Sequence, residues 1–341
     1  MKFYKSVGIA LIAILAMGLL HGCRINEDLS VCVNRFSITY VVKLVTNMTT
    51  ELRNVLDKEA DEPVAEALYE HLKDIFTDHA HDVNLSFFSI ERDSALSHFE
   101  DHIINSNQES FTIELPVEKY MHISLANIKE QKAVSYTNGT DCHKAALQQP
   151  GVDQLSECHN TGLFTARLSM DVLEGQHQEF FVRLYMANSA VALVVDTLGS
   201  HIKDMKVLLS DLADGFQICD SVYTFNKNTL VPAKEIPVSA GTQSCYVGVC
   251  FPSRDKPLRA ASNDTSSSQE GSVWSLRGYV NTAEGKTTEN ILYVREPLKP
   301  GSLKIIKVKV QPNGSFLTVD LNVGVSITLD WKDGIIFEPE F

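Results

Sequence analysis

Polar and apolar residues alternate along most of this chain. Phe36, Ile38, Tyr40, Val42 and Leu44 interleave with Arg35, Ser37, Thr39, Val41 and Lys43, the period of two expected of a strand with one buried face. Further short strand patterns follow at 83–90, 111–115, 120–126 and 164–172. The one helical pattern lies between the first strand and these: Val64, Leu68, Leu72, Ile75 and Phe76 recur at helical spacing, with Pro63 in the first turn, predicting one short amphipathic helix over about 61–76. A polar, turn-rich stretch, Glu174-Gly175-Gln176-His177-Gln178, then precedes a fresh series of strands at 180–186, 191–195, 205–209, 216–219, 246–251, 273–280, 291–294, 303–310, 316–321 and 323–331. Many short strands parted by turn signals predict a sandwich or barrel. The stretch is the expected domain boundary, giving domains at 33–174 and 175–341. Residues 255–272, almost without large apolar side chains, read as a long loop.

The beginning of the chain has a different pattern. Lys2 and Lys5 precede an unbroken apolar run from Val7 to Leu20, which closes on Leu20-His21-Gly22-Cys23. The run is too short to span a bilayer comfortably, and the order basic, apolar, small residue, Cys is that of an export signal. Its end is similar to a bacterial lipobox, with His21 where a small residue is usual. Residues 1–22 are therefore expected to be a lipoprotein signal peptide, Cys23 the acylated residue, and 23–32 a polar tether. Membrane attachment is expected through the lipid, because the formal charge of −13 (43 Asp plus Glu against 30 Lys plus Arg) argues against nucleic acid and anionic headgroups as partners.

With Cys23 acylated, Cys32, Cys142, Cys158, Cys219, Cys245 and Cys250 remain. An exported chain permits disulfides. Cys142 with Cys158 closes a short loop and is the first expected bridge; buried thiols are the alternative, and connectivity of the other four does not follow from sequence. Asp78-His79-Ala80-His81-Asp82 offers ligand-type side chains, but no third and fourth ligand can be placed, so it reads as a polar connection leaving a helix. Paired Cys142-His143 and Cys158-His159 lack the spacing of a zinc site. No nucleophile elbow, HExxH, phosphate-cradling glycine loop or papain-like cysteine context occurs. Asp211 to Gly215 lacks the alternating acids of a calcium loop. The chain reads as a non-enzyme with no metal, cofactor or small-molecule substrate. Asp93-Ser94-Ala95 matches an Asp-Ser/Thr-apolar glycosylation pattern, with Ser94 the loop-like candidate; Asp196-Thr197 and Asp220-Ser221 match it within strand-like surroundings.

Three segments carry a resemblance. Cys23 followed by Asn26-Glu27-Asp28-Leu29-Ser30-Val31-Cys32, the segment Phe111-Thr112-Ile113-Glu114-Leu115-Pro116 with Tyr120, and Val325 to Gly334 (VSITLDWKDG) occur in an order that resembles the fimbrial anchor lipoproteins of Bacteroides-type bacteria, a FimB-like family associated with fimbrillin pili. Glu118-Lys119 stands where that family often has Gly before the Tyr. The resemblance implies two tandem transthyretin-like β-sandwich domains. It also implies an outer-membrane, surface-exposed position at the base of a fimbrium, and assembly with fimbrial subunits by strand donation in type V pili. An anchor of that family keeps its own first strand, here 35–44. The C-terminal row Val323, Val325, Ile327, Leu329 and Trp331, with Ile335, Ile336 and Phe337 after Gly334, either completes its own sandwich or is the strand donated to a subunit. The rival function, a surface glycan-binding or nutrient-capture lipoprotein, requires an exposed aromatic platform, for which Trp274 and Trp331 are the only tryptophans.

Overall fold

The structure is a computed structural model that describes residues 35–44, 48–104, 109–149, 155–196, 201–239, 243–257, 271–318, 320 and 323–328. It is mostly β. The strands are β1 (Arg35–Leu44), β2 (Asp82–Ser89), β3 (Ala95–Ile103), β4 (Ser110–Pro116), β5 (Lys119–Ala126), β6 (Ser135–Thr137), β7 (Ala146–Gln148), β8 (Phe164–Asp171), β9 (Glu179–Met186) and β10 (Ser189–Asp196). They continue as β11 (Ile202–Leu212), β12 (Gly215–Gln217), β13 (Val222–Thr224), β14 (Thr229–Ile236), β15 (Ser244–Cys250), β16 (Trp274–Thr282), β17 (Thr287–Val294), β18 (Leu303–Val310), β19 (Phe316–Leu317) and β20 (Val323–Thr328). Two helices, α1 (Met48–Glu59) and α2 (Glu62–Leu72), follow β1.

Two large sheets carry the fold, ordered β3-β2-β5-β8-β9-β1-β4 and β19-β18-β10-β15-β14-β11-β16-β17-β20. Each is folded at a weak joint. In the first, β8 and β9 pair only at Phe164–Met186 and Thr165–Tyr185, which lets β9, β1 and β4 stand apart from β3, β2, β5 and β8. In the second, β14 pairs with β11 through its first part and with β15 through Lys234–Ile236. Strands that change sheets in this way make the corners of a sandwich.

The expected boundary at Gly175 lies in the wrong place. Residues 174–178 form the hairpin between β8 and β9, with Gly175 at φ +67°, and β9 runs parallel to β1 inside the first sheet. The chain changes sheets at Ala187-Asn188 instead. This connection is buried, not polar and loose. The Asn188 side-chain amide donates to the Thr161 carbonyl at 2.8 Å, its Oδ1 accepts from the Leu163 amide at 3.1 Å, and its backbone carbonyl accepts from Gly301 at 2.8 Å. A two-residue connection offers no composition shift, so a turn-rich hairpin was the stronger signal.

The expected helix is present as α2, and a second helix that the sequence pattern did not show, α1, precedes it. Met48, Leu52 and Leu56 form a buried row on α1, but three apolar positions among charged ones are a faint pattern. On α2, Val64, Ala65, Leu68 and Leu72 are buried, and Pro63 sits in the first turn. Both rows join one continuous core with the inner faces of β1, β4, β2 and β9 and with Ala190, Ala192, Val194, Cys245, Val247 and Val249. The opposite face of β10 and β15, with Val191, Leu193, Val195, Tyr246 and Cys250, enters a second core with β11, β16 and β17. The run Ala190 to Val195 is apolar at every position because β10 is buried on both faces.

A small third sheet, β13-β12-β7-β6, takes two strands from each half of the chain. Gly215 is required there, since a Cβ would lie 2.8 Å from both the Leu147 carbonyl oxygen and the Thr224 hydroxyl. Beside this sheet Cys142 bonds Cys219, with Cα atoms 5.7 Å apart and a separation of 77 positions in sequence. The Cys142–Cys158 bridge is thereby corrected. Cys158 lies against the second sheet, its thiol donating to the Pro232 carbonyl at 3.1 Å, and proximity in sequence did not bring the two sulfurs together. Closing so long a loop restricts the unfolded chain. Replacing Cys142 and Cys219 together with Ala is expected to cost about 2–5 kcal/mol in chemical denaturation; an unchanged midpoint would show that the small sheet holds the two halves without the bond.

Candidate assembly site

β1 occupies the position on which the first sandwich closes. It is antiparallel to β4 from Arg35–Pro116 to Val41–Ser110 and parallel to β9 from Thr39–Glu179 to Leu44–Leu184, so it is paired along both edges. Its alternation places Ile38, Tyr40 and Val42 in the core, beside Phe111, Ile113 and Leu115 of β4 and Val182 and Leu184 of β9. Thr39, Val41 and Lys43 lie on the outer face. The expected first strand is present over the expected residues.

Beneath β1 sits a buried polar cluster. Tyr40 Oη contacts His122 Nε2 and lies 2.8 Å from Ser124 Oγ. His122 Nε2 is also 2.8 Å from Ser124 Oγ, and its Nδ1 is 3.0 Å from the Ser86 carbonyl oxygen. That carbonyl only accepts, so the proton belongs on Nδ1 and Nε2 is the acceptor. The His122 ring stacks on Phe87 at 4.3 Å and meets the Tyr40 ring edge-on at 4.7 Å. Burial drives the His122 pKa down to about 3 and raises that of Tyr40. His159, between Gln149 and Asn188 at the junction of the halves, is likewise lowered to about 3 by burial. A Ser, a His and a Tyr in contact invite a catalytic reading, but all three are sealed from solvent. Sequence reasoning missed the cluster because His122 and Ser124 stand singly at inward positions of a mostly apolar strand.

The C-terminal row divides. Val323, Val325 and Ile327 lie in β20, which pairs antiparallel with β17 from Val294–Val323 to Glu289–Thr328. Of the two readings open for these residues, self-pairing and donation, the first holds: β17 supplies the partner edge and Val323 is buried in the second core. Leu329, Trp331, Ile335, Ile336 and Phe337 lie outside the described residues, as do Cys23 and Cys32. β20 ends the second large sheet and β4 ends the first.

Trp274 is no platform. It is buried, and its Nε1 donates to the Glu296 carbonyl at 2.9 Å. Among the described residues the most exposed aromatics are Phe181 (70 %) and Tyr185 (58 %), on the outer face of β9. Their signal was available in Phe180 to Met186, where aromatics fill the polar phase of the alternation. Ser94 is in the turn between β2 and β3 at φ +59°, half-buried, its carbonyl accepting the Cys142 amide at 3.0 Å.

The 78–82 connection is structural. The Asp78 carboxylate accepts the Thr49 amide at 3.3 Å at the start of α1, the His81 amide donates to Asn127 Oδ1 at 2.7 Å, and Asp82 accepts the Ile128 amide at 3.2 Å. Among the described residues, the one cluster with ligand-like geometry is His143, Cys219 and Asp220. Cys219 is spent on the disulfide, leaving an exposed His143–Asp220 pair at 3.2 Å.

A family model for "Fimbrillin-A associated anchor proteins Mfa1 and Mfa2" matches residues 67–333. Comparison with curated proteins yields no match. Among solved structures, the chain is similar to a protein from Bacteroides thetaiotaomicron described as a candidate polysaccharide-binding protein (10 % identity, 86 % of this chain and 95 % of that one, TM-score 0.51). It is similar to a candidate adhesin from Bacteroides ovatus (11 %, 90 % and 99 %, 0.50). It also matches the fimbrial anchor protein Mfa2 from Porphyromonas gingivalis (10 %, 87 % and 98 %, 0.46). At such identities the first two structures speak for the shared fold, and the family model speaks for the family.

The two buried histidines set a pH dependence. An unfolded chain takes up their protons below about pH 6.5, whereas the folded chain holds both neutral until about pH 3. Stability is therefore lost as pH falls through this window, by up to about 1.4 kcal/mol per pH unit for each histidine. Urea midpoints at pH 7, 6 and 5 are expected to fall progressively, and less steeply in His159→Gln; equal slopes in the two proteins would count against this origin.

Proposed function

This chain belongs to the family of fimbrillin-A associated anchor proteins, and from that premise we propose that it is a lipid-tethered anchor or accessory subunit of a fimbrium in the outer membrane, acting through strands shared between subunits. The observation that carries this reading is β1. A subunit whose groove is filled along both edges by its own first strand has no vacancy there for an incoming strand. Such a subunit ends a strand-exchange polymer and does not extend it.

The tether is the second part of the proposal. β1 begins twelve residues after Cys23 (35 − 23), a reach of at most about 40 Å from an acylated cysteine to the first strand. The third part is the contact with the fimbrium, to which the segment after Thr328 offers the apolar residues Leu329, Trp331, Ile335, Ile336 and Phe337 as a strand for a subunit. The edge position of β20 supports this, since a segment leaving it starts at the margin of the sheet. Glycan capture has less support: Trp274 is core, and the family's own description is of anchor proteins.

Two variants test the proposal in cells. Cys23→Ser is expected to move the protein from the detergent phase to the soluble fraction; unchanged partitioning would refute lipid tethering at that residue. Deleting residues 334–341 is expected to leave a folded, membrane-bound protein while fimbriae detach into the medium. Fimbriae that stay attached at normal length would show that this tail is not the donor.

A further inference from the structure

The groove that holds β1 is not lined uniformly by apolar atoms. Of the three inward side chains of β1, Ile38 and Val42 meet hydrocarbon, while Tyr40 brings a hydroxyl to His122 and Ser124. All three residues of the contact are fully buried. No other partner for the Tyr40 hydroxyl is present among the described side chains, and the far nitrogen of His122 is committed to the Ser86 carbonyl.

We infer that Tyr40 is the residue by which this groove selects its occupant and fixes the occupant's register. The physical reason is that polar groups sealed from water cost free energy when a partner is withdrawn, and the cost falls on whichever strand is present. With β1 in register, two hydroxyl protons and one imidazole lone pair close a three-membered set. A slip of two residues puts Ile38 or Val42 over His122 and Ser124 and carries the phenol hydroxyl into apolar surroundings. A one-residue slip turns the whole inward row outward. A foreign strand with an aliphatic row fills the volume but leaves Ser124 and His122 with only each other, without the second partner that the Tyr40 hydroxyl supplies.

The consequence concerns a second copy of this chain. Beyond β20 its C-terminal apolar residues are Leu329, Trp331, Ile335, Ile336 and Phe337, none of which carries a hydroxyl. Such a strand does not satisfy the groove, so copies of the chain do not displace one another's first strand and the protein does not polymerise with itself. This consequence deepens the strand-assembly reading and rests on it, whereas the selectivity of the groove is a property of the isolated protein.

The test uses the purified full chain, wild type and Tyr40→Phe, in two measurements. In hydrogen exchange read by mass spectrometry, amides of 36–42 are expected to exchange about tenfold faster in the variant, with β16 and β17 unchanged. In the second, labelled peptides of residues 35–44, with Tyr or Phe at position 40, and of residues 329–338 are incubated with wild-type protein under mild urea. The Tyr peptide is expected to be taken up about tenfold more than either competitor. Equal uptake of the Tyr and Phe peptides, or a uniform rise of exchange across both domains, would overturn the inference, the second because it marks a general packing role. Neither measurement depends on fimbriae, so failure here and failure of the anchor reading are separable.

Discussion

The first domain depends on the pairing of one strand. Backbone amides and carbonyls buried away from water must be hydrogen-bonded, and β1 satisfies its own groups while satisfying those of β4 and β9 on either side. Remove it and two strands gain bare edges, the core loses Ile38, Tyr40 and Val42, and His122 faces a void. A strand at the start of the described chain is thus a structural keystone, although chain termini are ordinarily where order is cheapest to lose. Under the proposed tethering at Cys23, a pull on that residue would reach β1 first and be resisted by two ladders at once.

Load entering at β1 has a continuous route to the other end of the molecule. The helices pack between the first sheet and one face of β10, β15 and β18, so one apolar cluster belongs to both halves. Asn188 ties the crossover to segments on either side of it. The small four-stranded sheet adds a backbone link across the same junction, and the Cys142–Cys219 bond adds a covalent one. Interfaces between domains of one chain commonly permit relative motion unless they are large and apolar; this one is apolar, hydrogen-bonded and cross-linked.

Strand periodicity was legible because most strands have one wet face. The rows of β1 and β4 alternate in sequence as they do in burial. Where a strand is buried on both faces, as in β10, the pattern shows an apolar run but not the two cores it joins. The domain boundary failed for a related reason: Gly175 marks a real turn, and turn chemistry is the same in a hairpin as in a linker, whereas Asn188 acts through tertiary partners that no local pattern contains. The disulfide was beyond sequence because Cys142 and Cys219 are brought together by pairing between the two halves of the chain. The polar cluster under β1 was hidden in the same way, since Tyr40 alternates like any inward residue and His122 shows its role only against Ser86 and Ser124. Family membership was legible through an order of weak segments along most of the chain, and the family model spans much of the same length.

The central claim is that this chain, with its groove closed by β1, joins a fimbrium through a terminal strand. The direct measurement is cross-linking in intact cells, with a photoreactive residue at Leu329 and a second at Thr112 on β4, followed by affinity capture and mass spectrometry. The account predicts adducts from position 329 to a fimbrial subunit and none from position 112 to a subunit's donor strand. Adducts to subunits from position 112 alone would contradict it, because they would place the contact at the edge of the closed first sheet instead of at the C-terminal strand.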